Sequence, residues 1–141
     1  WLAEHQHYRP DVVIGLQPTS PLRASSDIDS ALDQLEARRA DAVVSVTPVR
    51  QNPYWMKQLD DSGFIHDFVR QQTPIGRRQD LPAVYALNGA IYLARREFLL
   101  EHESWYGGRT AGYVMPLERS VDIDTAWDVR VAELLLAGGT Q

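Results

Sequence analysis

Asp122 and Asp124 stand two positions apart in the stretch RSVDIDTAWD, alternating with Val121 and Ile123. Aspartate is a poor strand former, so two of them in a β-branched run need an explanation. On a strand, residues i and i+2 point to the same side. The two carboxylates would then project together while Val121 and Ile123 turn to the core. Converging carboxylates repel unless a cation sits between them. Mg²⁺ suits such a pair, since it takes one or two carboxylates and fills its octahedron with waters and substrate phosphates. Capping is the plainer reading. Thr125 with Asp128 three residues on has the pattern of a capping box, and Asp124 could itself cap the helix that follows. Capping explains one aspartate well and the other poorly.

A second candidate is LQPTSPLR, residues 16–23. It is either a plain loop, shaped by two prolines and satisfied by Thr19 and its serines, or a ligand loop. The second reading rests on its place beyond the carboxyl end of a strand, where open α/β sheets bind ligands. Arg77 and Arg78, in GRRQDLP, are either a solvated pair or cations for an anionic substrate, since arginine grips a carboxylate bidentately. Asn88 is either a turn residue of its Asn-Gly pair or part of a site. His5 and His7 are only two apart, which does not place them on one helical face, and they read as surface residues. His66 and His102 have no visible partner. GGRT (residues 107–110) lacks the Walker lysine and a preceding strand, and reads as a loop.

These residues need elements to hold them. DVVIGL is a short apolar run, read as a buried strand entering the 16–23 loop. SSDIDSALDQLEARRA reads as a helix capped by Ser26 or Asp27, with Ile28, Ala31, Leu32 and Leu35 forming a stripe at i, i+3, i+4 and i+7. DAVVSVTPV is a second strand, stopped by Pro48. Strand, helix and strand predict a right-handed βαβ unit with parallel strands. Residues 51–83 break the pattern with aromatic alternation, prolines and an Asp-Ser-Gly turn at 61–63, which predicts short antiparallel strands and then a loop. After them come a strand at NGAIYLA opened by an Asn-Gly turn, a short helix at RREFLLEHE and a strand at TAGYVMP. SVDID predicts a last short strand. TAWDVRVAELLLAGG predicts a helix ending at Gly138.

Composition narrows the function classes. The chain has 141 residues, 44% hydrophobic and 23% charged, within the range of one soluble globular domain. With no cysteine, disulfides and thiolate metal sites are excluded. The net charge is −5, with one lysine, Lys57, and thirteen arginines. That balance argues against non-specific nucleic-acid binding, which needs a surplus of basic groups facing phosphates. No apolar run approaches the ~20 residues of a membrane span. The opening WLAEHQHYRP lacks a signal-peptide pattern, so a cytoplasmic location is expected. The chain opens on Trp1, not Met, so an upstream part is expected to be missing.

Three co-linear motifs, LQPTSPLR, NGAIYLARREFLL and GYVMPLERSVDIDTAWDVRVAELLL, make residues 10–136 resemble the acylneuraminate cytidylyltransferases, or CMP-sialic acid synthetases. These enzymes couple CTP to a nine-carbon 2-keto sugar acid and release pyrophosphate. The QPTSPLR form is more similar to the sialic or legionaminic acid branch than to the Kdo branch. The resemblance implies a Rossmann-like α/β three-layer sandwich of the nucleotide-diphospho-sugar transferase type. It implies a single partial domain over residues 1–141, with a small β-rich dimerisation arm at 52–83 reaching toward a partner subunit's site. It also implies that Asp122 and Asp124 hold a catalytic Mg²⁺ against the triphosphate and that Arg78 is the cation near the reacting groups. Gln17, by the same resemblance, contacts the sugar acid, with Ser20 and Arg23 shaping its pocket. Asn88 and Tyr92 line the sugar site, with Lys57 close by.

The chain departs from the family at its start. The glycine-rich basic loop that cradles the triphosphate does not occur in it, so it reads as the sugar-acid and metal half of the enzyme. Without the other half, DVVIGL would expose a hydrophobic strand edge. A homodimer or higher oligomer is therefore expected, or pairing with a separate N-terminal half. The alternative is a truncated, non-catalytic relative that binds sugar acids or oligomerises.

Overall fold

The computed structural model of the protein describes residues 8–70 and 76–139. His5 and His7 lie outside the described residues, as do residues 71–75 of the expected arm. The elements run β1 (Val12–Gly15), α1 (Ser25–Ala37), β2 (Ala42–Pro48), β3 (Lys57–Leu59), β4 (Ile65–Asp67), β5 (Tyr85–Arg95), α2 (Arg96–His102), β6 (Thr110–Val114) and α3 (Ala126–Ala137). They divide into one unit of residues 1–47 with 87–141 and a second of residues 48–86. No helix among the described residues is long and apolar enough to cross a membrane.

The larger unit is built on a mixed four-stranded sheet in the order β1-β5-β2-β6. β1 pairs antiparallel with β5, Val12 opposite Arg95 and Gly15 opposite Tyr92. β2 pairs parallel with β6, Ala42 opposite Thr110 and Val46 opposite Val114. β1 and β2 run the same way in one sheet and are joined through α1, as the expected βαβ unit has them, but they are not neighbours. β5 enters the slot between them, and its Arg95 N–H donates to the Asp41 carbonyl at 2.9 Å.

Strand alternation assigns side chains to two faces. On β2, Val43 joins Ala31 and Leu35 of α1, Ile91 and Leu93 of β5, and Met115 in one buried cluster. Its neighbour Ala42 joins Ala94 and Phe98 of α2 in another. The helical stripe is as expected, with Ala31 and Leu35 buried and Ile28 and Leu32 packed at the cluster edge. The cap is not. Ala24 is the N-cap and Asp27 sits at the third helical position, where its Oδ2 accepts the Ala24 N–H at 2.9 Å.

Asp27 is fully buried and fully partnered. Arg119 donates Nε to Oδ2 at 2.9 Å and Nη2 to Oδ1 at 2.8 Å, and the Tyr113 hydroxyl donates to Oδ1 at 3.0 Å. Burial works to raise its pKa. The paired hydrogen bonds of Arg119, with those of Ala24 and Tyr113, outweigh burial and hold the carboxyl below its ordinary value. This clamp fixes the chain just ahead of residues 120–124 against the start of α1.

α3 ends at Gly138, as expected, and Gly139 takes the left-handed conformation (φ 59°). Of its residues only Ala132 is buried, while Trp127 and Leu134 are 68% and 73% exposed.

The second unit contains the hairpin β3–β4, with Lys57 opposite Asp67 and Leu59 opposite Ile65. Asp60 holds the turn, its Oδ1 accepting from the amides of Ser62 at 2.9 Å and Phe64 at 3.0 Å. The hairpin leaves Leu59, Phe64, Ile65 and Phe68 exposed.

Candidate active site

The loop after β1 is tied down by two of the residues expected in the site. Arg23 donates Nη1 to the Gln17 carbonyl at 3.2 Å and to the Ala90 carbonyl at 2.7 Å. Ser20 is buried. Its amide closes a turn on the Gln17 carbonyl at 3.4 Å, and its hydroxyl donates to the Asn88 carbonyl at 3.5 Å. Both residues brace the loop against β5, while Gln17 stays exposed at its tip.

The 120–124 segment meets the same loop. The SVDID stretch forms no strand, which corrects that expectation. Its backbone attachment is the Ile123 N–H, which donates to the Thr19 carbonyl at 2.9 Å. The helix after it is capped by Thr125, which forms the capping box with Asp128. Asp128 Oδ2 accepts the Thr125 amide at 2.8 Å and the Thr125 hydroxyl at 2.7 Å. Capping therefore leaves both Asp122 and Asp124 unused.

Gly89 is where these pieces converge. It lies within β5, not at a turn that opens the strand, and has φ 72°. A Cβ built on it would lie 2.4 Å from Gln17 Oε1 and 3.3 Å from Asp122 Oδ2. Gln17 and Asp122 thus meet over a glycine that has no room for a side chain. Asp122 Oδ1 is buried with no hydrogen-bond partner among the described residues. A buried carboxylate oxygen without a partner is costly, so the position suits a ligand atom that supplies one. Asp124 is exposed, and its carboxylate takes no hydrogen bond from a described residue.

Beside Gln17 opens a cleft of about 450 Å³ lined by Gly15, Leu16, Pro18, Tyr92, Trp105 and Tyr106. Tyr92 lies with its ring centroid 5.8 Å from Trp105 and 6.5 Å from Tyr106, the latter edge-on. Burial first, then the hydrogen bond and charge of Tyr106, then the charge of Asp122, push the Tyr92 hydroxyl above its ordinary pKa. Gly15 makes room for the wall, since a Cβ there would lie 3.1 Å from Trp105 Cζ2. The sequence reading missed Trp105 and Tyr106. The available signal was an aromatic pair placed between a short helix and the Gly107-Gly108 turn.

Asn88 is 4% exposed, and its side chain is wholly engaged by protein groups. Arg78 and Lys57 belong to the second unit. Arg78 is exposed and donates Nη2 to the Arg50 carbonyl at 3.5 Å, beside a cleft of about 280 Å³ shared with Trp55 and Tyr85. Lys57 pairs with Asp67 across the hairpin. Asp60 Oδ2 pairs with His66 at 2.8 Å, which lowers the Asp60 pKa.

Among the described residues no group of three or more His, Cys, Asp and Glu could hold a metal. Asp122 and Asp124 are two carboxylates, too few for an all-protein cage. Mg²⁺ commonly takes one or two carboxylates and draws its remaining ligands from water and phosphate; of this pair, Asp122 carries the buried oxygen without a partner and Asp124 is exposed.

No protein-family model matches the chain. It is 39% identical over 113 residues to an N-acylneuraminate cytidylyltransferase of Streptococcus agalactiae, covering 80% of this chain and 27% of that protein. It is 32% identical over 128 residues to a CMP-N,N'-diacetyllegionaminic acid synthase of Legionella pneumophila, covering 89% and 54%. It is 30% identical over 127 residues to the post-translational flagellin modification protein B of Campylobacter coli, covering 89% and 53%. The chain spans about half, or less, of the length of these curated relatives.

Proposed function

The chain is homologous over most of its length to the acylneuraminate cytidylyltransferases, and from that premise we propose that it carries the sugar-acid and metal side of a CMP transfer. The reaction takes CTP and a sialic- or legionaminic-type nonulosonic acid, forms the CMP-sugar and releases pyrophosphate. The observation that carries this reading is the meeting of Gln17 and Asp122 over Gly89, beside an aromatic-walled cleft. A cytoplasmic site of reaction, with access to the cell's CTP, is part of this proposal. The sheet with α1 and α2 on opposite faces supports a Rossmann-like three-layer sandwich.

The sugar acid's anomeric hydroxyl attacks the α-phosphorus of CTP, and the bond to pyrophosphate breaks. Such a transfer depends on positioning and charge neutralisation more than on covalent help. Gln17 turns its amide to the sugar acid. Tyr92, Trp105 and Tyr106 present flat apolar walls that hold the sugar and exclude water. Ser20 and Arg23 keep the loop in place. Asp122 and Asp124 would hold Mg²⁺, which when bound offsets the negative charge of the phosphates. Arg78 and Lys57 are cations for the substrate's phosphate or carboxylate groups.

The second unit serves as the dimerisation arm. Its hairpin exposes Leu59 and Ile65 as a cross-strand pair, and Phe64 and Phe68 at either end of β4; large exposed apolar side chains of this kind support an interaction surface. The partner is a second copy of the chain.

Titration calorimetry tests the function. N-acetylneuraminate, then CTP with Mg²⁺, are titrated into the wild type and the Asp122→Asn/Asp124→Asn variant. Saturable sugar-acid binding in both, with the Mg²⁺-dependent heat confined to the wild type, supports the assignment. Identical heats for the two proteins, or no sugar-acid binding by either, overturn it.

A further inference from the structure

Four hydrogen bonds exhaust the capacity of the Asn88 side chain. Its Oδ1 accepts from the Ser45 hydroxyl at 2.5 Å and from the Ala90 amide at 3.2 Å. Its Nδ2 donates to the Ser120 hydroxyl at 3.0 Å and to Met115 Sδ at 3.3 Å. The orientation is fixed chemically. The Ala90 amide can only donate, so the carbonyl end must face it, and the amide end is left for Ser120. Ser120 in turn donates its own O–H to the Pro116 carbonyl at 2.7 Å. On the other side, Ser45 of β2 accepts the Ile91 amide of β5 at 2.7 Å, which ties the two strands together.

We infer that Asn88 is a positioning residue and not a sugar contact: through Ser45 and Ser120 it ties the Asp122 segment to the centre of the sheet. Ser45 belongs to β2, Asn88 to β5, and Ser120 lies two residues before Asp122. The side chain spends all its polar atoms inward and keeps none for a ligand. Its neighbour Gly89 is thereby left as the surface over which Gln17 and Asp122 meet. The 120–124 segment forms no strand, so it lacks the ladder that would otherwise hold it. Its fixed points are the Arg119 clamp, the Asn88–Ser120 bond, the Ile123–Thr19 bond and the α3 cap. Of these, only Asn88–Ser120 comes from the sheet interior. Groups that hydrogen-bond a metal ligand directly are worth roughly 10- to 100-fold in metal affinity; Ser120 acts on Asp122 through two residues of backbone, so the effect falls at the lower end of that range.

As far as it concerns cation affinity, the inference rests on Asp122 as a cation ligand, and the test separates the two claims. Ser120→Ala deletes the acceptor, Ser120→Thr keeps it, and Asp122→Asn removes the ligand. Free Mn²⁺ is counted by electron paramagnetic resonance during titration, and exchange of the Ile123 amide is followed by NMR. Ser120→Ala is expected to weaken Mn²⁺ binding roughly 10-fold and to speed Ile123 exchange, while N-acetylneuraminate affinity holds. Ser120→Thr is expected to restore both. Unchanged Ile123 exchange in Ser120→Ala overturns the positioning role. So does an equal loss of Mn²⁺ and sugar-acid binding, which would mark general damage. Mn²⁺ binding that survives Asp122→Asn overturns the cation reading alone, and Ile123 exchange still decides what Asn88 does.

Discussion

Arg119 grips Asp27 at two points, 2.9 and 2.8 Å, across ninety-two positions of sequence. The carboxylate is wholly buried, whereas the guanidinium side chain is 34% exposed. Removing one partner of such a pair leaves a buried charge uncompensated, which costs about 3–5 kcal/mol. Arg119→Ala is therefore expected to lower the urea-unfolding free energy by about that amount. Arg119→Lys keeps the charge but not the two-pronged geometry, and should fall between wild type and alanine. A change within experimental error for Arg119→Ala would mean that the clamp contributes nothing to stability.

The same carboxylate makes stability depend on pH. Its folded pKa lies below the unfolded value of about 3.9, so the unfolded chain binds the proton more readily. The contribution is fully present above the unfolded pKa and is lost as pH falls through the folded one. Urea midpoints between neutral pH and strong acid should drop through that acid window. Asp27→Asn should start lower at neutral pH and fall less steeply. Parallel curves for the two proteins would exclude Asp27 as a source of the slope.

Gly89 carries a geometric prediction. Alanine there must adopt φ 72° with its Cβ against Gln17 Oε1 and Asp122 Oδ2. Gly89→Ala should cost about 1–3 kcal/mol and weaken N-acetylneuraminate binding, since Gln17 must move. Adding Gln17→Ala relieves the closest contact, so part of the stability returns while binding stays lost. Full recovery of binding in the double variant would show that Gln17 does not contact the sugar acid.

Self-association is checked on the hairpin. Leu59 and Phe64 are 74% and 70% exposed, so a charge at either should not disturb the fold of one copy. Leu59→Asp/Phe64→Asp is expected to sediment as a monomer at concentrations where the wild type is a dimer. A monomeric wild type at micromolar concentration would remove the arm's proposed role.

Elements set by local pattern were legible in the sequence, and those set by distant partners were not. The α1 stripe follows from 3.6-residue periodicity, and the Thr125 cap from residues three apart. The Val121–Ile123 alternation also predicted a strand, but a strand exists only where a neighbour pairs with it. Here one bond to Thr19 takes the ladder's place. The insertion of β5 between β1 and β2 was hidden for the same reason, as strand order is a non-local choice. At the site, the motifs pointed to Gln17 and Asp122, which do meet. They could not show that Asn88 faces inward, because an Asn-Gly pair reads alike at a turn and inside a strand. Trp105 and Tyr106 acquire meaning only once Gly15 is seen to make room for them.

The place of β5 has a consequence for how the protein is made. When the ribosome has synthesised β1, α1 and β2, the sheet still has an open slot, and Val43 and Val44 have no neighbour on that side. The slot can close only after residue 95 has been added, forty-seven residues after the end of β2 at Pro48. At roughly 5–20 residues per second, the nascent chain waits several seconds with that apolar edge uncovered. Residues 12–48 are therefore open to association during that interval, and a pause in translation before β5 would lengthen it.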